Sequence, residues 1–261
     1  MKTNFYSLPR ISLRFFPVWQ RHFLVWKKLA VTSILGSLAD PLIYMLGLGY
    51  GLGSLLPEMD GISYLMFVSG GTLCYSTMNS ATFEALYSGF SRMHVQRTWD
   101  AILNTPITLD DIVLSEVLWA ATKSLMSGIA VLIVIWILGM GHTWLSLWTI
   151  PITLIAGLCF AALGLIITAL APSYDFFMYY FTLFITPMTL LSGVFFPLSQ
   201  LPAPMQAAAQ FLPLTHAVSL VRPLLHGDIP QNMLLHVVVL ATITAVAFAV
   251  AVRLARRRLL K

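Results

Sequence analysis

Four ionisable residues interrupt stretches of the sequence that are otherwise apolar: Asp40, Glu84, Glu116 and Lys123. Such a set could relay protons, hold an ion or form a structural network. A charge inside a membrane span costs about 2.5–3.5 kcal/mol on insertion scales, so each is a functional candidate by default. Glu116 and Lys123 lie seven residues apart and share a helix face about two turns apart. That spacing favours an ion pair, direct or through a neighbouring helix. Lys123 would snorkel toward the cytoplasmic headgroups, with Glu84 in reach of the same network. A proton relay needs more titratable groups at depth than these. Asp40 precedes Pro41 and has two readings. It satisfies backbone groups freed by the proline, or it makes a polar contact with a passing solute or a second copy.

Other chemistries have little to stand on. Cys74 and Cys159 sit in apolar runs 85 residues apart, which suggests neither a disulfide framework nor a metal cluster. The twelve methionines, with no Met or His cluster at ligand spacing, read as adaptable packing. No GxxxxGK[ST] phosphate loop occurs, so nothing here cradles a nucleoside triphosphate. Composition explains why. Of 261 residues 58% are hydrophobic and 10% charged, with a mean hydropathy of +0.84. A soluble domain carries about 25% charged residues, so a water-soluble enzyme is excluded, and so is a disordered chain. An all-α polytopic membrane protein is expected.

About 20 helical residues cross a bilayer core. Six stretches qualify, at roughly 29–50, 62–83, 112–140, 147–171, 176–196 and 231–252. They are continuously apolar, unlike the alternating strands of a barrel. Lys2, Arg10, Arg14, Arg21, Lys27 and Lys28 precede the first stretch, Arg92 and Arg97 follow the second, and Arg253, Arg256, Arg257, Arg258 and Lys261 end the chain. Thirteen of the fifteen Lys and Arg therefore fall on one side, whereas the loop Gly51–Gly61 carries Glu58 and Asp60 and no base. The positive-inside rule puts both termini in the cytoplasm. The net charge of +5 is thus an orientation signal rather than a nucleic-acid footprint. No cleavable signal peptide is expected.

Three further segments stand out. Phe5–Trp26 mixes aromatics with Arg10, Arg14 and Arg21, which suits a helix lying in the cytoplasmic interface, bent or split at Pro17. The other reading is a basic flank of the first span. His94–Leu103 is short and amphipathic, with Val95, Trp99, Ile102 and Leu103 at helical spacing, and is stopped by Asn104-Thr-Pro. It would enter a groove on a partner or lie flat on its own membrane domain. Between spans five and six, Pro204–Leu212 and Leu214–His226 are apolar but too short to span. A re-entrant pair in the outer leaflet is expected, with His216 and Arg222 near the outer headgroups. In span five, Phe177, Tyr180, Phe181 and Phe184 share one face at three and four spacing. They are an aromatic wall for a lipid or sugar, or an aromatic belt. Gly47 with Gly51, Gly49 with Gly53, and Gly157, Ala161 and Gly164 read as close helix packing.

The blocks LSGVFFPLSQLP and FLPLTHAVSLVRPLLHG, the cytoplasmic stretch TWDAILNTPITLDDIVLSE and the first-span sequence ADPLIYMLGLGYGLG resemble type-2 ABC transporter permeases, in particular the NodJ type of nodulation-factor export permease. The resemblance runs from about Lys27 to Val252. It implies a homodimer of six-helix subunits in the cytoplasmic (inner) membrane, each docked to a separate NodI-like ATPase subunit, two copies in all. ATP and Mg would lie on that partner, and this chain would bind no cofactor. The resemblance assigns His94–Leu103 as the coupling helix, with Arg92, Arg97 and Asp100 pairing at the rim and Trp99 and Leu103 filling the groove. It brings spans one and five, with Tyr44 and the aromatic wall, to the dimer interface, and makes the re-entrant segment with Pro197, His216 and Arg222 an outer gate.

The domain reading is an interfacial helix over 1–26, a transmembrane domain over 27–253 and a basic cytoplasmic tail over 254–261. The expected function is the membrane half of an ATP-driven exporter of a lipo-oligosaccharide or related lipid-linked glycan. Two rivals remain: a permease for a hydrophobic drug or plain lipid, and an ion-coupled carrier or channel using Asp40, Glu116 and Lys123.

Overall fold

The computed structural model describes residues 8–9, 11–53, 55–56, 58–59 and 61–260. Lys2, Phe5, Arg10, Asp60 and Lys261, which entered the reading above, lie outside the described residues. The chain is mostly helical. Helix α1 spans Phe15–Lys27 and α2 Ala30–Gly51, with a π turn at Tyr44–Leu48. A short antiparallel hairpin, β1 (Glu58–Met59) and β2 (Ile62–Ser63), leads into α3, Tyr64–Phe83. Two π turns, Glu84–Ser88 and Ser91–Val95, separate α3 from α4, Thr98–Leu103. Helix α5 is Leu109–Ile137, and α6 is Thr149–Leu170, entered through a 3-10 turn at Trp144–Trp148. Then come α7 (Phe176–Leu191, with a π turn at Phe181–Ile185), α8 (Ala203–Ala209), α9 (Pro213–His226) and α10 (Met233–Leu259).

Four of these, Ala30–Gly51, Leu109–Ile137, Trp144–Leu170 and Met233–Leu259, are long and apolar enough to cross a membrane. Helix α3 has 20 residues, about 30 Å and sufficient to cross. It carries Ser69, Thr72, Ser76, Thr77, Asn79 and Ser80, because it is the central helix, packed by α5, α6 and α9 and buried along most of its length. Helix α7 is 16 residues long and ends at Leu191, five residues before the expected end of span five, because Gly193 (φ +74°) turns the chain.

Several boundaries move for local reasons. Pro17 falls in the first turn of α1, where no intrahelical N–H bond is due, so the helix is neither bent nor split there. Thr108 and Asp111 form a reciprocal capping box that starts α5 at Leu109, three residues before the expected start. The coupling segment is not one helix over 94–103: Arg97 is left-handed (φ 50°) and separates the second π turn from α4. The expected basic tail is helical as far as Leu259, where α10 ends. Arg256 clamps Asp110 at the start of α5 through two hydrogen bonds, one of them Nε to Oδ1 at 2.9 Å. Arg258 donates to the carbonyls of Thr168 (3.2 Å), Ala169 (2.8 Å) and Ala171 (2.7 Å), which a helix C-terminus leaves without partners.

Small residues set the closest approaches. A side chain at Gly157 would meet Ser124 Oγ at 2.1 Å and one at Gly164 would meet Ala85 Cβ at 2.8 Å, so α6 packs tightly on α5 and on the end of α3. Gly49 abuts Leu65 of α3, whereas a Cβ added at Gly47 or Gly51 would meet nothing within 4 Å.

Candidate functional site

The first site forms where α1, α5 and the end of α3 meet. Eight residues along an α-helix put Arg92 about 80° round from Glu84. The intervening π turn widens the helix and brings the two onto one face. Arg92 Nη1 donates to Glu84 Oε1 (3.0 Å), while its Nε (2.9 Å to Oε1) and Nη2 (2.5 Å to Oε2) grip Glu116. Arg92 thus bridges two buried carboxylates. Glu84 also accepts from Trp119 Nε1 (2.8 Å), Lys123 Nζ (2.8 Å) and Ser88 Oγ (3.0 Å). Lys123 therefore pairs with Glu84 across helices and not with Glu116 along its own. Glu116, 1% exposed, also accepts from Trp99 Nε1 at 3.0 Å. The formal charges of these two carboxylates and two cations cancel. Breaking such a buried pair costs about 3–5 kcal/mol.

His22 on α1 completes the cluster. Its Nε2 is 3.4 Å from Glu116 Oε1 without hydrogen-bond geometry. Burial holds its pKa far below the usual range, at about 4; Glu116 opposes this and Arg92 reinforces it.

Two assigned coupling residues face inward, contrary to the sequence reading. Trp99 is 2% exposed, its indole held by Glu116, so it does not reach out to fill a groove, and Arg92, turned in by the π turns, does not stand at a partner-facing rim. His94 lies against the Phe90 ring (centroids 4.5 Å apart), and burial lowers its pKa. Leu103 is half-buried. The outward surface consists of Val95 (64% exposed), Gln96, Arg97, Asp100, Ala101 and Asn104. The loop after α4 is stapled to the start of α1. Arg14 Nη1 donates to the Pro106 carbonyl (2.7 Å), and Ser12 donates to Asp111 through its backbone N–H (3.2 Å) and Oγ (2.8 Å). Helix α1 lies along α5, with Trp19 Nε1 donating to Thr122 Oγ1 (3.2 Å), and its Phe16, Trp19, Phe23 and Trp26 rings follow one another at 5.7, 5.8 and 6.1 Å.

Three cavities adjoin this cluster in series. The first, about 560 Å³, is lined by Arg21, Trp26, Ser33, Tyr87, Lys123 and Tyr174 among others. The second, about 310 Å³, shares Ser33 and Lys123 with it and lies between α2, α3 and α5, against Ser37, Asp40, Asn79 and Ser127. The third, about 320 Å³, shares Asp40, Tyr75, Asn79 and Phe83 with the second and is walled by Tyr44, Phe181 and Phe195. Asp40 is exposed to these cavities and makes no ion pair among the described residues.

Apart from Asp40, the polar faces of α2 (Ser33, Ser37) and α3 (Ser76, Asn79, Ser80) escaped the sequence reading. Their signal was serine and asparagine recurring at three and four positions in apolar helices.

The aromatic wall of span five divides. Phe177 and Tyr180 are buried and Phe181 is half-buried, whereas Phe184 is 62% exposed while its ring stacks on Tyr180 with centroids 5.7 Å apart. Tyr44 instead sits between Tyr75 and Phe195, with centroids 5.4 Å from each. In the outer segment Arg222 does not reach out toward headgroups. Its guanidinium lies 3.7 Å over the Phe67 ring and donates to the carbonyls of Gly193 (2.5 Å) and Phe67 (3.3 Å), stapling α9 to α3 and to the turn after α7. His216 is buried, with its Nδ1 2.7 Å from His236 Nδ1 and its Nε2 2.9 Å from the Gln210 carbonyl. Pro197, also buried, caps a 3-10 turn.

The sequence profile of the family described as ABC-2 type transporter matches residues 14–225. Nodulation protein J of Rhizobium leguminosarum bv. viciae is 48% identical over 98% of both chains. Nodulation protein J of Bradyrhizobium diazoefficiens is 44% identical over 97% of both. The inner membrane transport permease YadH of Escherichia coli is 24% identical over 77% of this chain and 78% of its own. Apolar spanning helices, polar cavities between them and this likeness agree: the chain belongs to the ABC-2 type transporter family as a NodJ-like membrane permease, a transport protein and not an enzyme.

Proposed function

We propose that this chain is the membrane-spanning half of an ATP-driven exporter whose cargo is a lipo-oligosaccharide or related lipid-linked glycan. The names of its relatives support nodulation as the setting. Two copies would assemble in the inner membrane with two NodI-like subunits that carry ATP and Mg, with both termini cytoplasmic. Six crossings then result from the four long apolar helices together with α3 and α7. The observation that carries the reading is the continuous linkage from surface to cavity. The exposed strip Val95–Asn104 is tied through Trp99 to Glu116, through Arg92 to Glu84, and through Lys123 to the cavity walls.

Closure of the ATPases would push on α4. Glu116 and Glu84 would carry that push to α5 and α3, because a buried, fully paired cluster resists being pulled apart. Helices α2 and α7 would part to admit cargo, and the α8–α9 segment held by Arg222 would open outward. The ion-coupled reading has less support, since Glu84, Glu116 and Lys123 are all engaged in structural pairs. Reconstitution with the partner ATPase tests the proposal. Lipo-oligosaccharides are expected to stimulate ATP hydrolysis; stimulation only by drugs or plain lipids would replace the cargo, and none at all would overturn the reading.

A further inference from the structure

We infer that the cavity between α2, α3 and α5 is a binding site for an uncharged, polyhydroxylated group, the sugar head of the cargo. This rests on the export reading above and deepens it. On α2, Ser33, Ser37, Asp40 and Tyr44 follow one another at spacings of four, three and four, and so share a face. On α3, Ser76, Asn79, Ser80 and Phe83, at spacings of three, one and three, also share a face. These faces oppose one another across open volume rather than closing on each other: the space is about 310 Å³, continuous with a further 320 Å³ or so. Gly36, on the α2 wall, leaves it open, since a Cβ there would meet nothing within 4 Å.

The wall chemistry selects the guest. Asp40 puts a carboxylate with up to four acceptor sites into the cavity, while Lys123 at the other end gives its Nζ to Glu84 at 2.8 Å. An anionic guest would face Asp40, and a wholly apolar one would bury Asp40 with no hydrogen bond. A cation would meet Asp40 alone and leave the serines and Asn79 of the walls without a match. A neutral guest rich in hydroxyls satisfies the carboxylate, the serines and the asparagine together, since each hydroxyl both donates and accepts. Tyr44, Tyr75 and Phe195, packed at 5.4 Å centroid distances, offer the next cavity an aromatic wall for the C–H face of a sugar or the start of a lipid chain. Entry from the cytoplasmic cavity passes Ser33, whose hydroxyl is held by Trp26 Nε1 at 3.0 Å, so α1 sits at the mouth.

The test uses the full chain in lipid nanodiscs, without ATP. Cysteine is placed on either wall, Ser80→Cys or Ser37→Cys, and labelled with a charged thiol reagent; the native Cys74 and Cys159 are buried and do not compete. Three probes share one alkyl tail and differ only in the head: an oligoglucoside, a carboxylate and a trimethylammonium. The oligoglucoside is expected to slow labelling several-fold and the other two are not. Asp40→Asn, which removes a charge without changing shape, is expected to raise the protecting oligoglucoside concentration about tenfold or more. Absence of labelling in both cysteine variants, equal protection by all three heads, protection by the ammonium alone, or an unchanged Asp40→Asn response would each overturn the inference. Failure of the export reading is distinguishable: protection would persist while glycolipid-stimulated hydrolysis in the assembled complex was absent.

Discussion

His22 gives the sharpest test of the buried charge cluster. Its imidazole is neutral in the folded chain, with a pKa near 4 set mainly by burial. In the unfolded chain the value is about 6.5. Between these two values the unfolded chain binds a proton that the folded chain does not, so stability falls as pH drops through that window. Going from pH 7 to pH 5, the two pKa values give a loss of ~2 kcal/mol from this residue alone. For a chain of this size that is a fall of ~4–8 °C in Tm. His22→Gln removes the proton site and keeps a neutral polar side chain. The assay is thermal unfolding in detergent at both pH values for the wild type and the variant. The quantity read is the difference between their pH slopes, which cancels the titration of groups common to both. The wild type is expected to lose ~4–8 °C more than the variant. Parallel pH profiles would refute the placement of a neutral, buried His22 against Glu116 and Arg92.

Three further outcomes are expected. Trp99→Phe keeps the ring but deletes the donor to Glu116, worth about 1–3 kcal/mol; cargo-stimulated ATP hydrolysis should fall several-fold while co-purification of the ATPase is retained. Gly71→Ala would put a Cβ 2.2 Å from the Val194 carbonyl oxygen, and overpacking of about 1–3 kcal/mol should appear as a lowered Tm. Arg258→Ala leaves the carbonyls of Thr168, Ala169 and Ala171 at the end of α6 without their cation, a loss of about 1–2 kcal/mol measurable by thermal unfolding.

What could be read from sequence follows from the range of the interactions involved. Spanning helices, the short α4 and the apolar α8–α9 segment depend on composition and spacing within one stretch, and they were legible. Pairings between helices were legible only in part. Glu116 and Lys123 share a helix face, so spacing suggested a pair, direct or through a neighbouring helix with Glu84 in reach; packing took the second course, with Lys123 on Glu84 and Arg92, which spacing did not bring in, bridging Glu84 and Glu116. Arg92 was misplaced because 3.6-residue arithmetic fails across π turns, which hydrophobic periodicity does not announce. Arg256 and Arg258 were counted for topology alone, since the partners that hold them, Asp110 and the end of α6, lie about 90 to 150 residues away. The polar face of α2 was visible residue by residue, but its meaning depends on the cavity it borders.

The central claim is that this chain forms a movable passage in the membrane and takes its energy from a separate ATPase through α4. Transport of a fluorescent lipo-oligosaccharide into inside-out vesicles measures this directly. Transport is expected only when the chain, the ATPase and hydrolysable ATP are all present. Transport driven by an ion gradient through the chain alone would contradict the account.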